Sequence, residues 1–368
     1  MKRKKAKTQN FILFISAVFI LFIGGYIIFT NVDSNDTSKN NSTKKENKET
    51  KKEEKKEKTI VGKVPEIKLN GPSEVKIVKN GIFDDLGATA KDEEDGDLTK
   101  NVKIESKVDY KKPGNYEIIY SVTDKDNNES KITRKVTIFE VTDKNTSGIP
   151  VLMYHYFYDD INGETGEDAN YLAKSLFEEQ LKYLSENDYY IPNFKELEKY
   201  IDGELDLPSN SVILTLDDGA ESNYRIAYPL AVQYKIPLVM FVVTSWTDVS
   251  MEFQTEMKNS GYIRFNSHTD NMHEGGCGEQ HGARILCIDH DEGVTDLKTS
   301  INKLGNGDAL AYPCGDTNDR AVEIVKESGM RLAFTTEYGK VYVGSDKYRL
   351  PRVRINDGNS LGYFIDSL

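Results

Sequence analysis

Residues 211–220 read SVILTLDDGA. An apolar run suited to a buried strand ends in two adjacent aspartates and a glycine. Burying one carboxylate is costly, and a second beside it is worse, because like charges raise each other's pKa. Such a strand end has two readings. It is a strand-to-turn junction, where Asp and Gly are common, or it is a place where a metal ion and a proton acceptor share one small site.

The surrounding texture favours a site. From Gly148 onward, short apolar segments alternate with amphipathic ones. Strands are expected at IPVLMYH, SVILTLDD, PLVMFVV, YIRFNSH, ALAYP and RLAFTTE. Between them lie helical stretches such as LFEEQLKYLSEN, where Leu176, Phe177, Leu181 and Leu184 share a face. This alternation predicts an α/β domain over residues 148–368 with a parallel sheet, either a barrel or a doubly wound sheet. In both, ligands bind at the carboxyl ends of the strands. The chain has five histidines, and three of them, His155, His268 and His273, fall at or just past such ends. Three imidazoles converging with an aspartate pair on one rim point to a site rather than to scattered structural histidines.

Two imidazoles and one carboxylate make a facial ligand set that leaves coordination positions open. Asp218, His268 and His273 fit that set, and the open position would hold a water whose pKa the cation lowers. Asp217 is then free to accept a proton as general base. A cation beside the pair keeps both carboxylates ionised. His155 is the candidate acid, because histidine titrates near neutral pH. His281 and His290 sit in the polar insertion EGGCGEQHGARILCIDHDEG and read as loop residues. The backbone N–H of Cys314, just after Pro313, is placed to stabilise an oxyanion. Asp316 is expected to cap the next helix, and Trp246, after MFVVTSW, to lie near the groove.

TLDDG, SHTDNMH and AYPCGD resemble the first three motifs of the polysaccharide deacetylases, carbohydrate esterase family 4, over about residues 148–356. The resemblance implies a distorted (β/α) barrel and a divalent metal, most often Zn2+, with Co2+, Ni2+ or Fe2+ accepted by the same ligands. It implies removal of acetyl groups from N-acetylglucosamine polymers, with Asp217 as base and Asp218, His268 and His273 as metal ligands. Four features depart from the common pattern. The two histidines are five residues apart rather than four, and no histidine follows His290. Both resemble the subgroup acting on poly-β-1,6-N-acetylglucosamine, whose acid histidine sits in a Tyr-His pair, here Tyr154–His155. Ala311 stands where many members carry an arginine that orients the base, and Arg352 in LPRVRIN is the candidate replacement. Cys314 replaces the usual aromatic.

The rest of the chain locates the enzyme. Residues 11–30 carry no charge and match a bilayer's thickness, so a transmembrane helix is expected there. The basic residues of segment 1–10 place that end in the cytoplasm and the C-terminal domains outside, as on a Gram-positive surface. A cleaved signal peptide is the alternative. Residues 31–59 are polar, charged and without aromatics, and read as a disordered tether. The first 58 residues hold 14 basic and 7 acidic residues of the chain's 48 and 60, which leaves 34 and 53, a net charge of -19, for residues 59–368. That acidity argues against nucleic acid as a partner. Residues 60–142 are expected to form a small all-β domain. YEIIYSVTD alternates with Tyr116, Ile118, Tyr120 and Val122 on one face, and the stretch resembles bacterial immunoglobulin-like surface modules. The acidic run Asp92–Asp97 reads either as a solvated loop or as a calcium site. Cys277 and Cys287 either bridge or stay free.

Taken together, these readings predict a membrane-anchored monomer that N-deacetylates an envelope polysaccharide, peptidoglycan or poly-β-1,6-N-acetylglucosamine. The alternatives are a non-catalytic glycan-binding protein and a metal-dependent esterase of other acetylated envelope groups.

Overall fold

The computed structural model describes residues 62–246, 251–274, 276–277 and 282–368. The basic segment 1–10, the expected membrane span 11–30, the tether 31–59 and His281 lie outside the described residues. Among those described, no helix is long and apolar enough to cross a membrane.

The N-terminal portion is a β-sandwich. One sheet has four strands, in the order Glu74–Val78, Glu129–Phe139, Gly114–Thr123 and Lys103–Ser106. The other has three, Glu66–Leu69, Ala88–Asp92 and Gly96–Asp97. Period-two alternation sends Ile118, Tyr120 and Val122 inward, and on the paired strand Val136 and Ile138 are buried with them. Arg134 falls on the same inward face and is fully buried. It survives there because its guanidinium is spent on Asp85, the Tyr120 hydroxyl and the Pro72 and Asn70 carbonyls. The acidic run makes no cation cluster. Asp92 accepts the Glu94 and Asp95 N–H groups, Asp97 accepts that of Thr99, and Asp95 pairs with Lys125.

The C-terminal portion is a closed, all-parallel barrel of seven strands. They are β1 (Ile149–Tyr154), β2 (Ile213–Leu216), β3 (Leu238–Val242), β4 (Ile263–Ser267), β5 (Ala309–Ala311), β6 (Leu332–Tyr338) and β7 (Leu350–Arg354). Each pairs with the next, and β7 closes on β1 through Val353 opposite Leu152. Every residue of β1, β2 and β5 is buried, as strands covered on both faces require. Helices pack outside. Helix α1 (Lys174–Glu186) buries Phe177, Leu181 and Leu184, and α2 (Phe194–Ile201) starts with an Asn193–Glu196 capping box. The six strands expected from the sequence are present. The seventh was not expected, because a proline and two arginines mask it. Pro351 lies where the β6–β7 register shifts, between Phe334 and Tyr338.

The sandwich is docked on the barrel. Glu196, at 2 % exposure, accepts hydrogen bonds from the Ile82 N–H (3.1 Å), the Tyr190 hydroxyl (2.9 Å) and the Asn193 N–H (3.1 Å). The Asn193 side chain returns a bond to the Ile82 carbonyl at 2.8 Å. Gly71 N–H reaches the Asn259 carbonyl at 2.6 Å, and Val78 joins the barrel's apolar cluster beside Phe194. Replacing Glu196 by alanine strands three donors, one from the sandwich. The expected loss is roughly 3 kcal/mol, the low end of ~1–3 kcal/mol for each of three donors, because Ile82, Tyr190 and Asn193 are only part-buried. A fall in the thermal midpoint, with faster proteolysis near residues 140–148, checks it. An unchanged midpoint would mean the interface is not held by this carboxylate.

Candidate active site

Four strand ends and one strand interior build the site. β1 delivers His155, β2 delivers Asp217 and Asp218, β4 delivers His268, and the turn after β5 delivers Cys314. Arg352 reaches in from the middle of β7.

At the end of β2 the chain turns sharply. Asp217 N–H still bonds to the Tyr154 carbonyl at 2.9 Å, while Asp218 and Gly219 take φ of 71° and 69°. Aspartate tolerates that left-handed region and glycine suits it. A Cβ on Gly219 would lie 2.8 Å from Val242 Cγ1. The reversal aims two adjacent carboxylates in different directions, which explains why the sequence reads Asp-Asp-Gly.

Asp217 points into the barrel. Its Oδ1 and Oδ2 accept from Arg352 Nη1 and Nη2 at 2.7 and 2.8 Å, a two-point ion pair. Arg352 is fully buried and also donates to the Thr335 carbonyl (2.9 Å) and to Thr215 Oγ1 (3.2 Å). Burial is the strongest single influence and pushes the Asp217 carboxyl up, but Arg352, with His268 and His155, together hold the group below its ordinary value. His155 Nε2 stands 3.9 Å from Asp217 Oδ2. Burial pushes the His155 imidazole down, against the pull of Asp217 and Asp218.

Asp218 points the other way. Its Oδ1 is 3.3 Å from His268 Nε2 and 3.2 Å from His273 Nε2, and the ligand atoms of all three lie within 4.8 Å of one another. Among the described residues this is the one such group of three. Burial opposes ionisation of Asp218, yet the imidazoles of His268 and His273 beside it hold its carboxyl far below the usual range. His268 Nδ1 lies 2.7 Å from the Ala311 carbonyl, an arrangement that protonates Nδ1 and frees Nε2 as a donor to a metal. Three converging donors, one ionised, with a fixed tautomer fit a divalent cation of borderline softness.

The five-residue gap between the histidines is a turn. Thr269 has φ of 75°, Met272 is buried, and the Asp296 carboxylate takes the Asp270 and Asn271 N–H groups at 2.8 Å each. Trp246 meets His273 edge to face at 4.6 Å and is 38 % exposed, so it stands on the rim. Cys314 is exposed with φ of 58°. Its turn is closed by Gly315 N–H to the Tyr312 carbonyl and Asp316 N–H to the Pro313 carbonyl, a closure that does not use the Cys314 N–H. Burial, then Asp316 and Asp218, push its thiol up.

Several sequence expectations need correction. Asp316 does not cap the following helix, Asp319–Ser328. Asn318 does, accepting from Ala321 N–H at 2.8 Å, and Asp316 instead accepts the Ala283 N–H. His290 is not in a loop but opens the helix His290–Leu304, beside Glu327. Cys277 and Cys287, for which the sequence leaves both readings open, are joined in a disulfide. Tyr154 is a core residue, wholly buried with its hydroxyl on Gln180, and only its backbone carbonyl, which accepts the Asp217 N–H, touches the site. Two residues were missed. Tyr156 puts its hydroxyl 2.5 Å from Asp218 Oδ2, and Asp296 braces the histidine loop. Neither carries a local sign, since the chain has 21 tyrosines and 60 acidic residues.

Comparison with known proteins agrees with this geometry. A family model of polysaccharide deacetylases matches residues 204–333, and one of the Ig-like domain of bacterial surface proteins matches residues 67–138. A poly-beta-1,6-N-acetyl-D-glucosamine N-deacetylase of Staphylococcus aureus (strain MRSA252) is 29% identical over 206 residues, covering 52% of this chain and 70% of that one. The solved structure of IcaB from Ammonifex degensii superposes with a TM-score of 0.51 at 26% identity, over 59% of this chain and 95% of that one. The Streptococcus pyogenes deacetylase PplD has the same fold, with a TM-score of 0.51 at 24% identity over 60% and 97% of the two chains. This chain carries a polysaccharide deacetylase domain, preceded by an immunoglobulin-like domain of the bacterial surface type.

Proposed function

We propose that this protein is a metal-dependent N-deacetylase of an N-acetylglucosamine polymer, with poly-β-1,6-N-acetylglucosamine as the favoured substrate and peptidoglycan as the runner-up. The observation that carries the reading is the adjacency of two unlike carboxylates. Asp218 converges with His268 and His273, while Asp217 is bound to Arg352 and faces His155. A non-catalytic glycan binder has no use for a buried base with its own arginine. The substrate comes from the named activity of the staphylococcal relative.

Asp218, His268 and His273 would hold the cation, Zn2+ first among candidates, which when bound supplies Lewis-acid polarisation and lowers the pKa of water. Asp217, kept ionised by Arg352, accepts the proton of the water that adds to the acetamide carbonyl. The Cys314 N–H donates to the oxyanion that develops. His155 gives a proton to the departing sugar nitrogen as the carbon–nitrogen bond breaks. Acetate and a free amine result, and the polymer gains positive charge. Every group comes from one chain, which suits a monomer. The uncharged run 11–30 anchors it in the cell membrane, with both folded domains outside.

The test is acetate release by the full chain from poly-β-1,6-N-acetylglucosamine, chitin oligomers and peptidoglycan. Release from at least one polymer is expected, lost on chelation and restored by added zinc or cobalt. Undiminished release after exhaustive chelation would sink the metal reading. Absence of acetate from all three, with zinc supplied, would sink the deacetylase reading.

A further inference from the structure

The two oxygens of Asp218 are treated differently. Oδ1 is the oxygen nearest the histidines, 3.3 Å from His268 Nε2 and 3.2 Å from His273 Nε2. Oδ2 is taken by the Tyr156 hydroxyl at 2.5 Å. An ionised carboxylate has no proton to give, so the phenol is the donor. The bond occupies an oxygen that would otherwise be free to swing onto a cation.

The phenol is not there by chance of rotamer. Tyr156 begins a short strand, Tyr156–Tyr158, paired in parallel with Tyr171–Ala173, and Tyr156 stands opposite Tyr171. Its N–H bonds to the Asn170 carbonyl at 3.2 Å, and the next N–H, of Phe157, bonds to Ser222 Oγ at 3.1 Å. The ring leans on Tyr171 with centroids 5.0 Å apart. Two backbone bonds and two ring contacts, the second with His155 at 6.0 Å, therefore fix where the hydroxyl goes.

A carboxylate that binds a cation through both oxygens fills two coordination positions. One that binds through a single oxygen fills one, leaving more of the coordination sphere for water and substrate. We propose that Tyr156 is a positioning residue that donates to Asp218 Oδ2 and so restricts Asp218 to one-oxygen ligation, keeping a coordination position open. This rests on the metal reading above.

The test compares the full chain with Tyr156→Phe, each loaded with Co2+. The variant keeps the ring and its contact with Tyr171, so a matching thermal midpoint is expected. The visible absorption of Co2+ weakens as its coordination number rises. With Oδ2 released, Tyr156→Phe is expected to show weaker bands than the wild type while retaining the metal with undiminished affinity. Its kcat falls about 10- to 100-fold, the usual scale for partners of metal ligands, while KM stays within about twofold. Identical cobalt spectra in the two proteins would overturn the proposal, whatever happened to activity. So would loss of metal affinity with an unchanged spectrum of the bound fraction, since Tyr156 would then merely hold the ligand in place. A wild type that takes up no cobalt, or takes it up equally in His268→Ala, would refute the metal reading itself and this proposal with it.

Discussion

Asp217→Asn is expected to reduce acetate release by roughly 10²–10⁴-fold, the range for a lost general base. The asparagine keeps the shape and one acceptor, so polymer binding and KM should change little. The same substitution also leaves Arg352 charged and buried without its counter-ion. Removing one partner of a buried pair costs about 3–5 kcal/mol, and the retained amide oxygen should hold the loss to the lower part of that range. Two measurements separate the effects. Turnover at a temperature well below the midpoint reports the base, and thermal unfolding reports the pair. A variant that retained more than about a tenth of wild-type kcat would exclude Asp217 as the base, given that range.

Arg352→Leu has the second large expected effect. It removes four hydrogen bonds at once, two of them to Asp217, and leaves that carboxylate 2 % exposed with no cation against it. Loss of the guanidinium lets burial dominate, so the Asp217 carboxyl rises and less of it is ionised at neutral pH. The expected cost is about 3–5 kcal/mol in stability, with kcat falling alongside. Arg352→Lys should rescue only part of either, because an ammonium cannot make the two-point contact. In a double-mutant cycle with Asp217→Asn the two losses should fall short of additive by about 0.5–3 kcal/mol. Full additivity in stability would mean that the observed ion pair contributes nothing to the fold.

These two residues also mark where sequence reading succeeds and where it stops. Asp217 is legible because a run of buried strand residues cannot end in two carboxylates without a reason, and because strand-helix alternation sends strand ends to one rim. His155, His268 and His273 are legible on the same ground. Arg352 is different. Local pattern hides its strand behind Pro351 and two charges, so the residue surfaced only through an absence, the alanine at position 311 where an arginine is usual. That it is buried and pairs with Asp217 is a fact of barrel closure, since β7 meets β1 far away in sequence.

Tyr156, Asp296 and the docked sandwich lie further beyond local pattern. Tyr156 acts across 62 residues to reach Asp218, and Asp296 reaches 26 and 25 residues back from its helix to the histidine loop. Glu196 looked like half of a capping box, which it is, yet its other acceptor position serves Ile82, 114 residues away. Asp316 failed in the opposite sense, as a fair local guess overtaken by Asn318, two residues closer to the helix it was meant to cap.

The sequence by itself determined the α/β class of the C-terminal domain, the sandwich before it and which residues line the candidate site. Periodicity and burial cost are local quantities that a chain states residue by residue. Only the tertiary structure decided which carboxylate meets the histidines and which the arginine, and which tyrosine touches Asp218. Those choices depend on the left-handed turn at Asp218 and on a barrel that closes through its seventh strand. Both bring together atoms whose separation along the chain says nothing of their separation in space.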